Sequence, residues 1–222
     1  MAEAANLQAV WARLLIHSLV DAGVREAVIS PGSRSTPFVL AACAHPGLRC
    51  HDVIDERAAA FFALGQGRAS GRPSLLICTS GTAGAHYLPA VIEAEMARVP
   101  LLVLTADRPL ELTRGGANQT IDQLKLFGDH ARAFFELGLA DADPAALRAL
   151  RRTAAQAVFR CREPVPGAVH LNARARKPLE PVAEEDGPRR ALARRAEAAA
   201  AALLAEPIVR PFAAPRPPPP AA

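Results

Sequence analysis

The sequence predicts an α/β domain, a doubly wound, mainly parallel six-stranded sheet with helices on both faces. Three observations lead there. Short β-like runs alternate with helical ones along most of the chain, the pattern of repeated strand–helix–strand units. Two of those runs, LLIC at Leu75–Cys78 and LLVL at Leu101–Leu104, are apolar without interruption, as strands covered on both faces are. Half of the 222 residues are hydrophobic but only 5% are aromatic, so aliphatic and Ala side chains must fill the core, which suits helices lying close on a sheet.

Leu7, Val10, Trp11, Leu14, Leu15, Ser18 and Leu19 recur at helical spacing between a candidate cap, Asn6, and a closing Gly23. Strands are then predicted at Val24–Ile29, Arg49–Ile54, Ser74–Thr79, Pro100–Thr105, Ala133–Gly138 and Ala168–Asn172. Helical segments fall between them near Phe38–His45, Arg57–Ala69, Ala83–Arg98, Ile121–Phe127 and Pro144–Arg160. This α/β domain occupies residues 1–182. Residues 183–206 read as a polar linker and an Ala/Arg-rich helix. Pro207–Ala222 holds seven of the 20 prolines and reads as an extended, disordered tail.

Of the net charge of +4, +3 lies between Arg174 and the end. The basic balance therefore belongs to the last quarter of the chain and does not indicate a nucleic-acid partner. Cys43, Cys50, Cys78 and Cys161 form no CxxC pair, and no apolar run approaches the roughly 18 residues of a membrane span. With no signal peptide in view, the expectation is a reduced, soluble, cytoplasmic protein without a membrane partner. No HExxH, GxSxG or P-loop pattern is present, and His86 and His130 lack companions at metal-ligand spacing.

Ligands of open parallel sheets bind beyond the carboxyl ends of the strands, and the unusual polar clusters all fall there. The first strand runs into Ser30-Pro31-Gly32-Ser33-Arg34-Ser35-Thr36, more hydroxyls and charge than a turn needs. The second ends in Asp55-Glu56-Arg57, the third in Thr79-Ser80-Gly81-Thr82, and the fourth in Asp107-Arg108-Pro109, followed by Gly115-Gly116-Ala117-Asn118-Gln119. Glu56 opens an apolar helix. It is either a first-turn acid favoured by the helix dipole or a semi-buried carboxyl used in proton transfer; Asp55 beside it reads as the helix cap. Thr79–Thr82 is either an ordinary turn or a set of amides and hydroxyls at a helix start. Arg108 either pairs with Asp107 or meets a ligand, and Asn118-Gln119 either caps a following helix or does the same.

Taken together, ISPGSRSTP, DERAAAFFALG, TSGTAGAHYLPAVIEA, LTADRP and GANQTIDQ resemble, in order and spacing, the 2-succinyl-5-enolpyruvyl-6-hydroxy-3-cyclohexene-1-carboxylate synthase family. These are thiamine-diphosphate-dependent transferases of menaquinone biosynthesis, and the resemblance runs from about Leu7 to Val182. It implies decarboxylation of 2-oxoglutarate and addition of the remaining unit to isochorismate. It implies that Glu56 is catalytic, bonding the aminopyrimidine ring of the cofactor, with Pro31, Gly81 and Thr82 close to the thiamine. It places Ser33, Arg34, Arg108, Asn118 and Gln119 on isochorismate, whose carboxylates suit planar guanidinium groups. It also implies a homo-oligomer with its active site at a subunit interface.

Two departures stand beside the resemblance. The family's Gly-Asp-Gly…Asn signature for the cofactor's diphosphate and Mg2+ is missing, so that site is expected in a further domain, no metal ligand is assigned here, and the chain is expected to be inactive alone. Ala173–Arg176, ARAR, also replaces a more apolar stretch. Two other readings stay open, a pyrimidine-binding subunit of a split thiamine-diphosphate enzyme and a non-catalytic α/β anion-binding module.

Overall fold

Residues 6–184 and 187–208 are described by the computed structural model; the tail from position 209 onward lies outside the described residues. Helix α1 (Leu7–Ala22) starts where Asn6 accepts a hydrogen bond from the Ala9 amide at 2.9 Å, and it closes at Gly23, whose φ of 123° suits glycine. There follow β1 (Glu26–Ile29), α2 (Thr36–Cys43), β2 (Arg49–Asp52), α3 (Glu56–Ser70), β3 (Ser74–Cys78), α4 (Leu88–Met96), β4 (Leu101–Asp107), β5 (Ala133–Glu136), α5 (Pro144–Arg162), β6 (Ala168–Arg174) and α6 (Gly187–Ala205).

The six strands form one parallel sheet in the order β2-β1-β3-β4-β6-β5. Alternate residues of the inner strands serve two separate cores. Ile29, Leu75, Ile77, Leu102, Leu104, Val169 and Leu171 pack beneath α1, α2, α5 and α6. Val28, Leu76, Cys78, Leu101, Val103 and Ala168 pack beneath α3 and α4. Every residue of β3, β4 and β6 is buried, which is why LLIC and LLVL read as unbroken apolar runs, while β6 buries the polar His170, Asn172 and Arg174 among its apolar residues.

β1 and β3 are neighbours, yet the chain leaves them in opposite directions. From β1 it passes through α2, on one face, to the edge strand β2; from β3 it passes through α4, on the other face, to β4. That divergence is a topological switch point, and it opens a crevice at the carboxyl ends of the strands.

Two helical expectations need correction. Ile121–Phe127 is not a helix but an irregular stretch followed by a turn. Gln119 and Lys125 adopt φ of 54° and 51°, outside the helical range, and Gln123 turns inward to the strand ends instead of outward. The segment expected as one helix at Ala83–Arg98 begins as a 3₁₀ run at Gly81–Tyr87 and becomes α-helical only at Leu88, where Pro89, lacking an N–H, suits a first-turn position.

After β6 the chain returns to its start. The Asn6 side-chain amide donates to the carbonyls of Glu180 and Val182 at 3.0 and 3.1 Å. Helix α6 then lies on the α1 face, with Ala196 and Ala200 in its core and Glu197 paired with Arg13.

Candidate active site at the carboxyl edge of the sheet

The loop after β1 is pinned against the end of β3. The Ser30 amide donates to the Ile77 carbonyl at 2.9 Å, and a Cβ on Gly32 would stand 2.3 Å from the Thr79 Cβ, so no larger residue fits at position 32. The next three residues make a 3₁₀ turn in which the Arg34 amide donates to Thr79 Oγ1 at 3.2 Å and Ser35 Oγ to the Gly32 carbonyl at 2.8 Å. These bonds turn Ser33 outward and Arg34 inward.

Arg34 is only 8% exposed. One terminal nitrogen donates to the Ala175 carbonyl at 2.8 Å, while its buried Nε has no partner. Burial first, and then the like charge of Arg108, lower its proton affinity, with Asp107 acting the other way. A buried cation with an unmet donor and a second cation beside it is costly unless an anion completes the set.

Arg108 does not settle onto Asp107. Its guanidinium donates to Ser80 Oγ and the Gln119 carbonyl, and the Gln119 side chain donates back to the Ser80 carbonyl at 3.1 Å. Asp107 instead accepts from the Arg108 amide at 2.7 Å and pairs with Arg174 at 3.1 Å. Gly81 has a φ of +84°, and a Cβ there would lie 2.9 Å from the Gln119 Cγ, so the turn after β3 and the loop after β4 touch directly. Arg34, Ser80, Gly81, Arg108 and Gln119 are thereby brought together. Pro31, Ser33, Thr82 and Asn118 stand exposed on the same loops.

Glu56 begins α3 and is half-buried. Asp55 is the cap, accepting from the Arg57 and Ala58 amides at 2.9 and 3.1 Å, and the Arg57 side-chain bond holds its carboxyl well below the usual range. Glu56 has no hydrogen-bond or ion-pair partner among the described residues. Its charge reaches inward to Cys78 and Tyr87, whose proton affinities burial has already raised. Tyr87 in turn donates to Ser30 Oγ at 3.2 Å. A half-buried, unpartnered carboxyl beside the switch-point crevice fits a ligand with a ring nitrogen to receive or share a proton. No group of three His, Cys, Asp or Glu that could hold a metal ion occurs among the described residues.

Beneath these loops lies a polar network that sequence reading does not single out. Asn172 accepts from Thr105 Oγ1 at 2.8 Å and from the Gln123 amide at 3.0 Å. It donates to Asp107 and Glu136 at 3.0 and 2.8 Å. Since the Thr105 hydroxyl proton goes to Asn172, His170 Nε2, 2.8 Å away, must supply its own proton to Thr105. His170 is neutral in that tautomer, and burial pushes its pKa down to about 3. Arg174 bridges Asp107 and Glu136 and donates to the Arg108 carbonyl at 2.7 Å. The only textual signals were the last Gln of GANQTIDQ and the HLN before ARAR.

A parallel sheet with a switch-point crevice is the frame of a cofactor-binding α/β domain, and residues 10–126 match the family described as thiamine pyrophosphate enzyme, N-terminal TPP binding domain. The chain belongs to that family. Curated relatives include 2-succinyl-5-enolpyruvyl-6-hydroxy-3-cyclohexene-1-carboxylate synthases. The protein of that name from Sorangium cellulosum is 63% identical over 177 residues, 80% of this chain and 29% of the relative. Those from Myxococcus xanthus and Geobacillus kaustophilus are 53% and 54% identical over 184 and 181 residues, 83% and 82% of this chain and 31% of each relative. The chain thus spans less than a third of the length of these relatives. No helix among the described residues is long and apolar enough to cross a membrane.

Proposed function

We propose that this chain is the pyrimidine-binding portion of a 2-succinyl-5-enolpyruvyl-6-hydroxy-3-cyclohexene-1-carboxylate synthase, acting on 2-oxoglutarate and isochorismate in menaquinone biosynthesis in the cytoplasm. The observation that carries it is the pair Arg34 and Arg108 at the switch point, one guanidinium buried with an unmet Nε and the other near enough to repel it. Two adjacent cations suit a dicarboxylate far better than a neutral ligand. In this reading Arg34 and Arg108 take the carboxylates of isochorismate, while Ser33, Asn118 and Gln119 line its approach.

Thiamine diphosphate, when bound, supplies the electron sink for decarboxylation and transfer of the succinyl-semialdehyde unit. Glu56 holds a proton at a ring nitrogen of the aminopyrimidine, and Pro31, Gly81 and Thr82 pack around that ring. The diphosphate and Mg2+ belong to a domain outside this chain. Exposed apolar side chains on the α3 and α4 side, among them Ile54 at 83% and Met96 at 75% exposure, support a homo-oligomer that closes the site against a partner subunit.

The test is a calorimetric titration of the purified chain with isochorismate. Binding that weakens with salt and drops about tenfold or more in R34A, as loss of a charged hydrogen bond implies, supports the reading. A wild-type chain that gives no heat with isochorismate overturns it.

A further inference from the structure

Gln123 has no hydrogen bond to either arginine, yet it ties together the segments around Arg108. It is 2% exposed. Its Oε1 accepts from the Gly81 amide at 2.9 Å, and its Nε2 donates to the Ala106 carbonyl at 3.3 Å and to Asn172 Oδ1 at 3.0 Å. One amide therefore ties the turn after β3 to β4 and β6. Its orientation is fixed, because a donor faces one side and two acceptors the other. The partner it reaches, Asn172, is itself clamped by Thr105, Asp107 and Glu136.

We propose that Gln123 is a positioning residue that couples the Gly81 turn to the Arg108–Gln119 clamp. The proposal rests on the functional reading above, in which the turn faces thiamine and the clamp faces isochorismate. The coupling runs through contact as well as hydrogen bonds. Gly81 packs against Gln119 with no room for a Cβ. Gln119 accepts from Arg108 and donates to Ser80. Gln123, four residues on, anchors the far end of that same loop beneath the sheet edge. Gln119 is therefore a strut between two parts, and Gln123 is the footing that both parts share. Filling of one subsite then stiffens the other.

The experiment compares the 222-residue chain with Q123M and Q119A by amide hydrogen exchange at Gly81 and by NMR order parameters of the backbone at 115–120, with the β3 and β4 strand amides as the measure of global stability. Methionine keeps the length of the side chain and removes its hydrogen bonds. Q123M is expected to speed exchange at Gly81 by roughly ten- to a hundredfold, the effect of losing a buried hydrogen bond, and to lower the order parameters at 115–120, with the strand amides changing less. Q119A is expected to loosen 115–120 while speeding exchange at Gly81 far less than Q123M does. Should Q123M fail to fold, Q123E keeps the acceptor toward Gly81, removes the donor toward β4 and β6, and must still loosen residues 115–120. If Q123M frees Gly81 but leaves 115–120 as rigid as before, or if Q119A frees Gly81 equally, the coupling is wrong. Titration of the same proteins with isochorismate separates the two claims. Absence of binding by the wild type sinks the functional reading, while the exchange pattern still decides the role of Gln123.

Discussion

His170 lies under the sheet edge with Phe127 and Phe134 against its ring, at centroid distances of 4.8 and 5.1 Å. Its proton affinity is lowered by burial to about 3, from an ordinary value of 6.5. Between those two values the unfolded chain takes up a proton that the folded chain refuses, so folding weakens as pH falls from about 6.5 toward 3. A depressed histidine in this window contributes about 1.4 kcal/mol per pH unit. H170Q, which keeps an N–H for Thr105, is expected to flatten the loss of stability below pH 6.5 by about that slope, read from urea midpoints at several pH values. His17 and His45, also lowered mainly by burial, account for part of the acid sensitivity that remains. An unchanged slope in H170Q would place the proton uptake on other groups.

At the scale of elements, α3 shows how closely a helix can approach the sheet. A Cβ on Gly67 would meet the Pro100 carbonyl at 2.6 Å and Val99 Cγ1 at 3.0 Å, whereas one on Gly65 would meet nothing within 4 Å. Alanine gains up to about 1 kcal/mol over glycine inside a helix, while overpacking costs about 1–3 kcal/mol. G65A should therefore stabilise the fold and G67A destabilise it, seen as opposite shifts of the unfolding midpoint. Matching shifts of one sign would show that α3 can slide on the sheet. Strands of this kind were readable in advance because burial on both faces writes itself into runs such as LLIC and LLVL. The arginines of the site were readable because SPGSRSTP and TADRP carry more polarity than their turns need. The stretch after Gln119 was not, because Ile121, Leu124 and Phe127 mimic helical spacing while the backbone takes left-handed steps at 119 and 125. Nor was the Gln123–Asn172 bond, whose partners stand 49 residues apart. Nothing local distinguishes Gln123 from a solvated glutamine.

For the whole molecule, the described residues offer the half-buried Glu56 and two neighbouring guanidinium groups but no trio of metal-ligating side chains. The relatives from Sorangium, Myxococcus and Geobacillus extend about three times as far. On the reading proposed above, the purified chain alone is expected to bind isochorismate without turning it over. The measurement is consumption of 2-oxoglutarate in the presence of isochorismate, thiamine diphosphate and Mg2+. Turnover above the protein-free rate would overturn the expectation and require a diphosphate site within these 222 residues.

The two bonds from Asn6 to Glu180 and Val182 bring the entrance and the exit of the sheet domain to one spot on its surface. A fold whose ends adjoin can be inserted between other domains like a cassette, with both connections leaving side by side and the strand order undisturbed. The same closure lets the chain be rewired. Joining position 182 back to position 6 needs only a short bridge, and new ends could open at the exposed Gly71 turn, on the rim opposite the arginines. An ancestral gene could thus have gained or shed neighbours around this unit while the crevice at its carboxyl edge stayed intact.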